Sequence, residues 1–146
     1  MKLAELQEEW AKDCKIDETN LGSESARTPK LHAKYLNLLT NSKLNARRAE
    51  SEYLRLRRTK WRYYRGEMTQ MELDEMNWPQ WQGIKPMKNE MDEFLLTDAD
   101  LIQLQDKLEY LKTIQYQLES ILKSISSRTW DIKGSIEWTK FTNGMI

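Results

Sequence analysis

The stretch TDADLIQLQDKLEYLKTIQYQLESILKSI, residues 97–125, decides the fold. Its apolar residues recur in alternating steps of three and four, which is the spacing of a heptad seam on one long α-helix. Thr97-Asp98-Ala99-Asp100 resembles a capping box and predicts where this helix begins. The seam consists of Leu101, Leu104, Leu108, Leu111, Gln115, Leu118, Leu122 and Ile125. Because a seam of this length must be covered by another helix, the sequence predicts an all-α fold.

A second long helix is predicted upstream, over residues 29–65. Thr28-Pro29 combines an N-cap hydroxyl with a proline at the first helical position, and no glycine or proline follows until Gly66. This helix also carries a heptad seam, and small residues occupy its middle. The seam consists of Tyr35, Leu39, Ser42, Ala46, Ala49, Tyr53, Leu56, Lys60 and Tyr63. Small residues allow close helix packing, so we expect a helical hairpin-like protomer built from long amphipathic helices.

The remaining segments complete one predicted helical domain, residues 1–146. Leu3, Leu6 and Trp10 are spaced as on a short amphipathic helix. The glycines and prolines that follow residue 65 predict a connector with at most a short helical turn. The predicted segments are an N-terminal helix 3–13, the basic helix 29–65, an acidic connector 66–96, the heptad helix 97–127 and a C-terminal oligomerisation segment 128–146.

Charge is distributed unevenly along a chain whose net charge is zero. Residues 27–65 hold 12 basic and 2 acidic side chains, whereas residues 66–109 hold 3 basic and 11 acidic ones. Residues 55–65 contain six basic side chains and no acidic one. A solvated helix face usually mixes both signs, and like charges on adjacent turns repel one another. The segment therefore favours a polyanionic partner over a face that is merely solvated.

The basic segment also carries aromatic side chains, the combination that single-stranded nucleic acid requires. Cations neutralise phosphates, and flat rings stack on unpaired bases. At roughly 100° per residue, five of the arginines fall within about 80° of one another, largely opposite the seam. A helix without base-reading loops predicts binding with little sequence preference. The candidate DNA-binding residues are Arg47, Arg48, Arg55, Arg58, Lys60, Trp61, Arg62, Tyr64 and Arg65. Tyr63 and Tyr64 lie near the seam, so a place in the core explains them as well as stacking on bases does.

Other functional classes find little support in the sequence. Cys14 is the single cysteine and His32 the single histidine, so neither an internal disulfide nor a multi-cysteine metal site can form. No phosphate loop, HExxH or nucleophile motif occurs, which predicts no enzyme activity, cofactor or metal. The acidic residues of segment 90–100 lack EF-hand spacing and are interpreted as caps and solubilising charge. No apolar run approaches the ~20 residues of a membrane span, so we expect a soluble intracellular protein.

Apolar stripes on the C-terminal part of the chain raise the question of self-association. Intrachain helix packing and homo-oligomerisation explain these stripes equally well, because three amphipathic helices have more apolar surface than they easily cover. The candidate oligomerisation residues are Leu118, Leu122, Ile125, Trp130, Ile132, Ile136 and Trp138.

Three parts of the chain resemble the UvsY family of recombination mediator proteins from tailed phages. The N-terminal part of the chain is similar to that family nearly position for position. The stretches that carry the resemblance are Met1–Leu3 with Leu6–Glu9, Lys12-Asp13, Ile16-Asp17, Thr19 and Leu21; Lys34–Asn37 and Arg58–Gly66; and Leu95–Asp100, Ile125–Arg128 and Ile132-Lys133.

The resemblance implies a ring-shaped homo-oligomer of six or seven subunits that binds single-stranded DNA. Such a mediator promotes loading of a RecA-like phage recombinase onto strands covered by single-strand-binding protein, in DNA recombination, repair and recombination-dependent replication in the host cytoplasm. The key basic pair of the family falls on Arg58 and Lys60, and the segment that drives ring assembly falls on residues 128–141. The alternative hypothesis is a coiled-coil scaffold or virion component whose basic helix docks on an acidic protein.

Overall fold

Five α-helices and no strand make up residues 1–144, the part of the chain that the computed structural model describes. The helices are α1 (Leu3–Asp13), α2 (Leu21–Tyr64), α3 (Gln70–Met76), α4 (Met91–Leu96) and α5 (Ala99–Thr142). The predicted all-α fold class is confirmed. Among the described residues, no helix combines the length and the apolar composition that crossing a membrane requires.

The helices pack into two compact units, where the sequence predicts a single domain. Unit 1 contains residues 1–44 together with the chain from Leu111 onward, and unit 2 contains residues 45–110. Both long helices contribute to both units, since α2 passes residue 44 and α5 passes residue 111 without interruption.

Unit 1 is built from α1 and antiparallel parts of α2 and α5. The Ser42 hydroxyl donates to the Leu111 carbonyl (3.5 Å), and the Arg128 guanidinium donates to the Thr28 hydroxyl (3.1 Å), which fixes the antiparallel direction. Its core consists of Leu6, Leu31, Tyr35, Leu39, Ile114, Leu118, Ile121 and Ile125. Leu6 is the contribution of α1 to this core, and burial of such a side chain stabilises the fold by about 1.5–3 kcal/mol.

The start of α2 differs from the prediction, because the helix begins at Leu21 and Pro29 lies inside it. The Thr28 hydroxyl accepts a hydrogen bond from Arg128 and is not an N-cap. Arg128 also donates to the Glu24 carbonyl and pairs with the Glu24 carboxylate, and both side chains are buried or nearly so. Tertiary contacts of the first two turns therefore override the local start signal of Thr28-Pro29.

Unit 2 packs the second half of α2 against α3, α4 and the first turns of α5. Its core consists of Met91, Leu95 and Leu101, with Tyr53, Leu56 and Tyr64 packed against them. The small seam residues Ala46 and Ala49 are buried. Glu52 pairs with Lys107 (3.8 Å) at one end of this unit and Lys60 pairs with Asp100 (2.7 Å) at the other, so the two long helices are antiparallel here too.

The acidic connector is more ordered than predicted, because it contains α3 and α4. Thr69 begins α3 by accepting the Glu72 amide on its hydroxyl (3.2 Å), and Asn77 ends it in the left-handed conformation (φ 59°). The spacing Thr69-x-x-Glu72 is the sequence signal of this helix start.

The heptad helix also differs at both of its ends. The cap of α5 is Asp98, whose carboxylate accepts the amides of Asp100 and Leu101 (both 3.0 Å), while the Thr97 hydroxyl bonds back to Glu93. The predicted C-terminal segment 128–146 is no separate element, since α5 continues through Gly134 to Thr142. Residues 145–146 of that prediction lie outside the described residues.

Candidate nucleic-acid interface

Exposed arginines line the part of α2 that belongs to unit 2. Within residues 1–144, Arg48, Arg55 and Arg58 are exposed and form no ion pair or side-chain hydrogen bond. Arg47 and Arg57 are also exposed, and each has an acidic group at 3.5 Å, Glu50 and Asp92 respectively. Exposed pairs with such long separations contribute little stability and exchange readily. These five arginines are therefore available to an external anion.

The acidic connector pairs two further cations of the row. Glu72 on α3 receives two hydrogen bonds from the Arg62 guanidinium (2.7 and 3.0 Å). This bidentate pairing lowers the pKa of Glu72 and raises the pKa of Arg62. Arg65 pairs with Glu67 through its Nε (3.1 Å). Part of the predicted basic row is thus already neutralised within the chain.

Lys60 occupies a buried position, which differs from its prediction as a phosphate contact. It is 6% exposed, and its ammonium lies 3.1 Å from the Asp98 carboxylate and 2.7 Å from that of Asp100. The same ammonium lies 4.2 Å from the centroid of the Trp78 ring. Its charge is satisfied inside unit 2, and its side chain joins α2 to the start of α5.

Asp98 is the centre of this buried network, and sequence reasoning did not assign it to the site. Besides capping α5, it accepts the Tyr64 hydroxyl (2.6 Å). Burial alone would raise the pKa of Asp98, but hydrogen bonds from Tyr64, the Leu101 amide and Lys60 hold that pKa below its usual value. Burial and the bond to Asp98 raise the pKa of Tyr64. The carboxylate therefore stays ionised and the phenol neutral.

Tyr64 belongs to an aromatic cluster, so of the two roles that the sequence leaves open, stacking on bases and core packing, the second applies. Its ring meets Trp81 at 4.9 Å and Phe94 at 5.5 Å, both edge to face. Tyr63 packs against Trp78 at 5.2 Å and donates its hydroxyl to the Pro79 carbonyl (2.7 Å). Such pairs stabilise the contact between the end of α2 and the connector.

Trp61 is the exposed aromatic side chain of the basic row. It is 37% exposed, and the Arg65 guanidinium lies over its ring at 5.0 Å from the centroid. Beside it runs an open groove of about 540 Å³, whose lining residues are Leu54, Arg57, Arg58, Trp61, Arg62 and Glu67. The arrangement places a flat apolar surface among cations, as binding of a single strand requires.

The predicted oligomerisation residues divide into two groups on α5. Leu118, Ile125 and Ile132 are buried within unit 1, and Leu122 packs against its core. These side chains serve the protomer itself. Trp130 (72% exposed), Trp138 (65%) and Ile136 (37%) remain on the surface, and Trp138 stacks on Phe141. Only this second group is available to another copy of the chain.

Comparison with known proteins agrees with this architecture. A family model described as "Recombination, repair and ssDNA binding protein UvsY" matches residues 9–145. The recombination protein uvsY of Enterobacteria phage T4 is 29% identical over 146 residues, which cover 99% of each chain. Two crystal structures of the bacteriophage T4 recombination mediator protein UvsY are similar as well.

The first structure, in lattice type II, superposes with a TM-score of 0.83 at 28% identity and covers 98% of both chains. The second, in lattice type IV, has a TM-score of 0.81 at 27% identity and covers 97% of this chain and 99% of the other. Fold, length and sequence thus agree over nearly the whole molecule. The chain belongs to the UvsY family of recombination, repair and single-stranded-DNA-binding proteins.

Proposed function

We propose that this chain is a recombination mediator that binds single-stranded DNA through the exposed arginines of α2. The observation that carries the proposal is the set of guanidiniums without a partner in residues 1–144, Arg48, Arg55 and Arg58, beside the exposed Trp61. Arg47 and Arg57 extend the set, since their acidic partners are exposed and lie 3.5 Å away. These groups recognise phosphates and rings, which every sequence offers, so binding is independent of sequence.

Self-association multiplies these contacts. Trp130, Ile136 and Trp138 offer an exposed apolar surface on α5 for contact with another copy. In a ring, each protomer adds its arginines to one continuous path, and weak contacts repeated along a strand give high avidity. Six or seven subunits are the number that the resemblance to the family implies.

The mediator role follows from holding the strand in this way. A strand wrapped on the oligomer is released from single-strand-binding protein and offered to a RecA-like recombinase. The acidic connector supplies a built-in competitor for the phosphates, because Glu72 and Glu67 already neutralise two of the cations. Such competition keeps the bound strand exchangeable.

Fluorescence anisotropy with labelled oligo-dT, at several salt concentrations and with a duplex control, tests DNA binding. We expect preference for the single strand and affinity that falls steeply with salt, because each neutralised phosphate releases counterions. The mediator role is tested by recombinase ATPase activity on strands covered with single-strand-binding protein, with and without this protein. Absence of binding at low salt would contradict the proposal.

A further inference from the structure

The groove beside Trp61 has features that a plain basic helix face lacks. Leu54 and Trp61 give it apolar walls, although both side chains are exposed to solvent. Its volume of about 540 Å³ lies in the range of small-ligand pockets, about 300–1,000 Å³. Apolar walls beside cations offer a ligand both a surface on which a flat ring can stack and charges that attract an anionic group.

The groove is positively charged, and within residues 1–144 the Arg58 guanidinium is the part of that charge without an acidic partner. Arg58 has no acidic partner among the described residues, and Arg57 faces Asp92 only at 3.5 Å. The other two charged groups that line the groove are paired with residues that do not line it: Arg62 with Glu72 and Glu67 with Arg65. The groove therefore suits a ligand that is flat and apolar at one end and anionic at the other.

The Trp61 ring is held by a neighbouring cation. The Arg65 guanidinium lies over the ring at 5.0 Å from its centroid, yet Arg65 is not among the groove-lining residues. This cation–π contact reduces the freedom of the indole and leaves the groove open. A ring held in place loses less entropy when a second ring stacks on it.

We propose that this groove binds one unpaired nucleobase of the single strand, stacked on Trp61, with the adjoining phosphate on Arg58. This inference rests on the proposed binding of single-stranded DNA and adds a base-dependent contact to it. In a duplex the bases are paired and stacked on one another, so a duplex can reach the arginines but cannot fill the groove without unstacking. The groove thereby supplies preference for the single strand.

The test compares oligo-dT with an oligonucleotide of equal length that carries abasic sites throughout. Both ligands offer the same phosphates, and only one offers bases. We expect Trp61→Ala to weaken binding of oligo-dT about fivefold or more, while binding of the abasic strand stays unchanged. Trp61→Phe should retain most of the difference between the two ligands. Tyr116→Ala, which removes an exposed aromatic side chain that does not line the groove, is the matched control.

Circular dichroism first establishes that each variant keeps the helical content of the wild type. If Trp61→Ala affects oligo-dT and the abasic strand equally, or affects neither, the groove proposal is overturned while DNA binding through the arginines stands. If the wild type binds neither ligand, the proposed function fails, and the groove proposal fails with it. These two failures are distinguished by the wild-type titration alone.

Discussion

The Lys60 ammonium lies 3.1 Å from the buried carboxylate of Asp98, the residue that caps α5. A lysine in the middle of a basic segment thus stabilises a helix junction. Removal of one partner of a buried ion pair leaves an uncompensated charge. The two residues of the basic pair, Arg58 and Lys60, therefore serve different purposes.

Lys60→Met should lower the free energy of unfolding by about 3 kcal/mol, because it leaves Asp98 buried without its cation. Urea denaturation measures this change. Among molecules that remain folded, the salt dependence of binding to oligo-dT should match that of the wild type. Unchanged stability together with a weaker salt dependence would instead identify Lys60 as a phosphate contact.

Arg58→Ala should show the opposite behaviour. Its guanidinium has no partner in the described part of the chain, so the unfolding free energy should change by less than about 0.5 kcal/mol. The slope of log K against log salt should fall in magnitude by about 0.7 for each phosphate that the variant no longer neutralises. Lys123→Ala is the control: it removes an exposed lysine of a different helix, α5, and should leave the slope unaltered.

Glu72→Gln should strengthen binding of single-stranded DNA. The change weakens the bidentate pairing of Arg62, so that this guanidinium becomes available to a phosphate. We expect higher affinity and a steeper salt dependence in the anisotropy titration. Glu75→Gln makes the same change of charge on the same helix without releasing a cation, since none is paired with Glu75 in residues 1–144. Equal gains in affinity for both variants would show that the effect comes from net charge and not from release of Arg62.

The lowered pKa of Asp98 predicts a loss of stability in acid. Its folded-state pKa lies below the unfolded value of about 3.9, so the carboxylate contributes its full stabilisation above that value. The contribution disappears as the pH falls through the folded pKa. Between about pH 7 and about pH 3, the midpoint temperature of thermal unfolding should fall less steeply for Asp98→Asn than for the wild type. Lys60, Asp100 and Tyr64 surround this carboxylate. Parallel curves of midpoint temperature against pH for the two proteins would show that titration of Asp98 does not cause the loss of stability.

Two substitutions on α5 should separate protomer stability from assembly. Ile132→Ala removes a buried side chain and should cost about 3 kcal/mol of unfolding free energy. Trp138→Ala removes an exposed ring and should reduce the oligomer mass measured by light scattering. Because assembly makes the unfolding midpoint depend on protein concentration, that dependence should weaken in Trp138→Ala. An unaltered mass would exclude this surface from the contact.

The sequence predicts the long helices well because their apolar periodicity is a property of many residues together. The seam of α2 includes Ser42, Ala46, Ala49 and Lys60, and all four are buried. The charge of the same lysine predicts a phosphate contact instead. Periodicity is the better guide for Lys60, because position on a helix determines burial before chemistry determines partners.

Features that depend on a few residues are harder to predict. Thr28-Pro29 is a sound local signal for a helix start, yet contacts of Glu24 and Arg128 extend α2 to Leu21. Neither contact is visible locally, since the two residues are 104 positions apart. Tyr64 lies near the seam, so the sequence leaves both stacking and core packing open for it, and only the packing of the connector shows that its ring is covered.

Unit 1 combines the two ends of the chain, and this determines when it can be completed during synthesis. Arg128 bonds to Thr28 across 100 positions of sequence, whereas Tyr64 and Asp98 in unit 2 are 34 positions apart. Contacts over short separations close sooner, and a chain folds from its N-terminus as it leaves the ribosome. Unit 2 can therefore assemble while the first turns of α2 still lack their contacts with the second half of α5. We expect the arginine row to take shape on the nascent chain before the second half of α5 has packed against the start of α2.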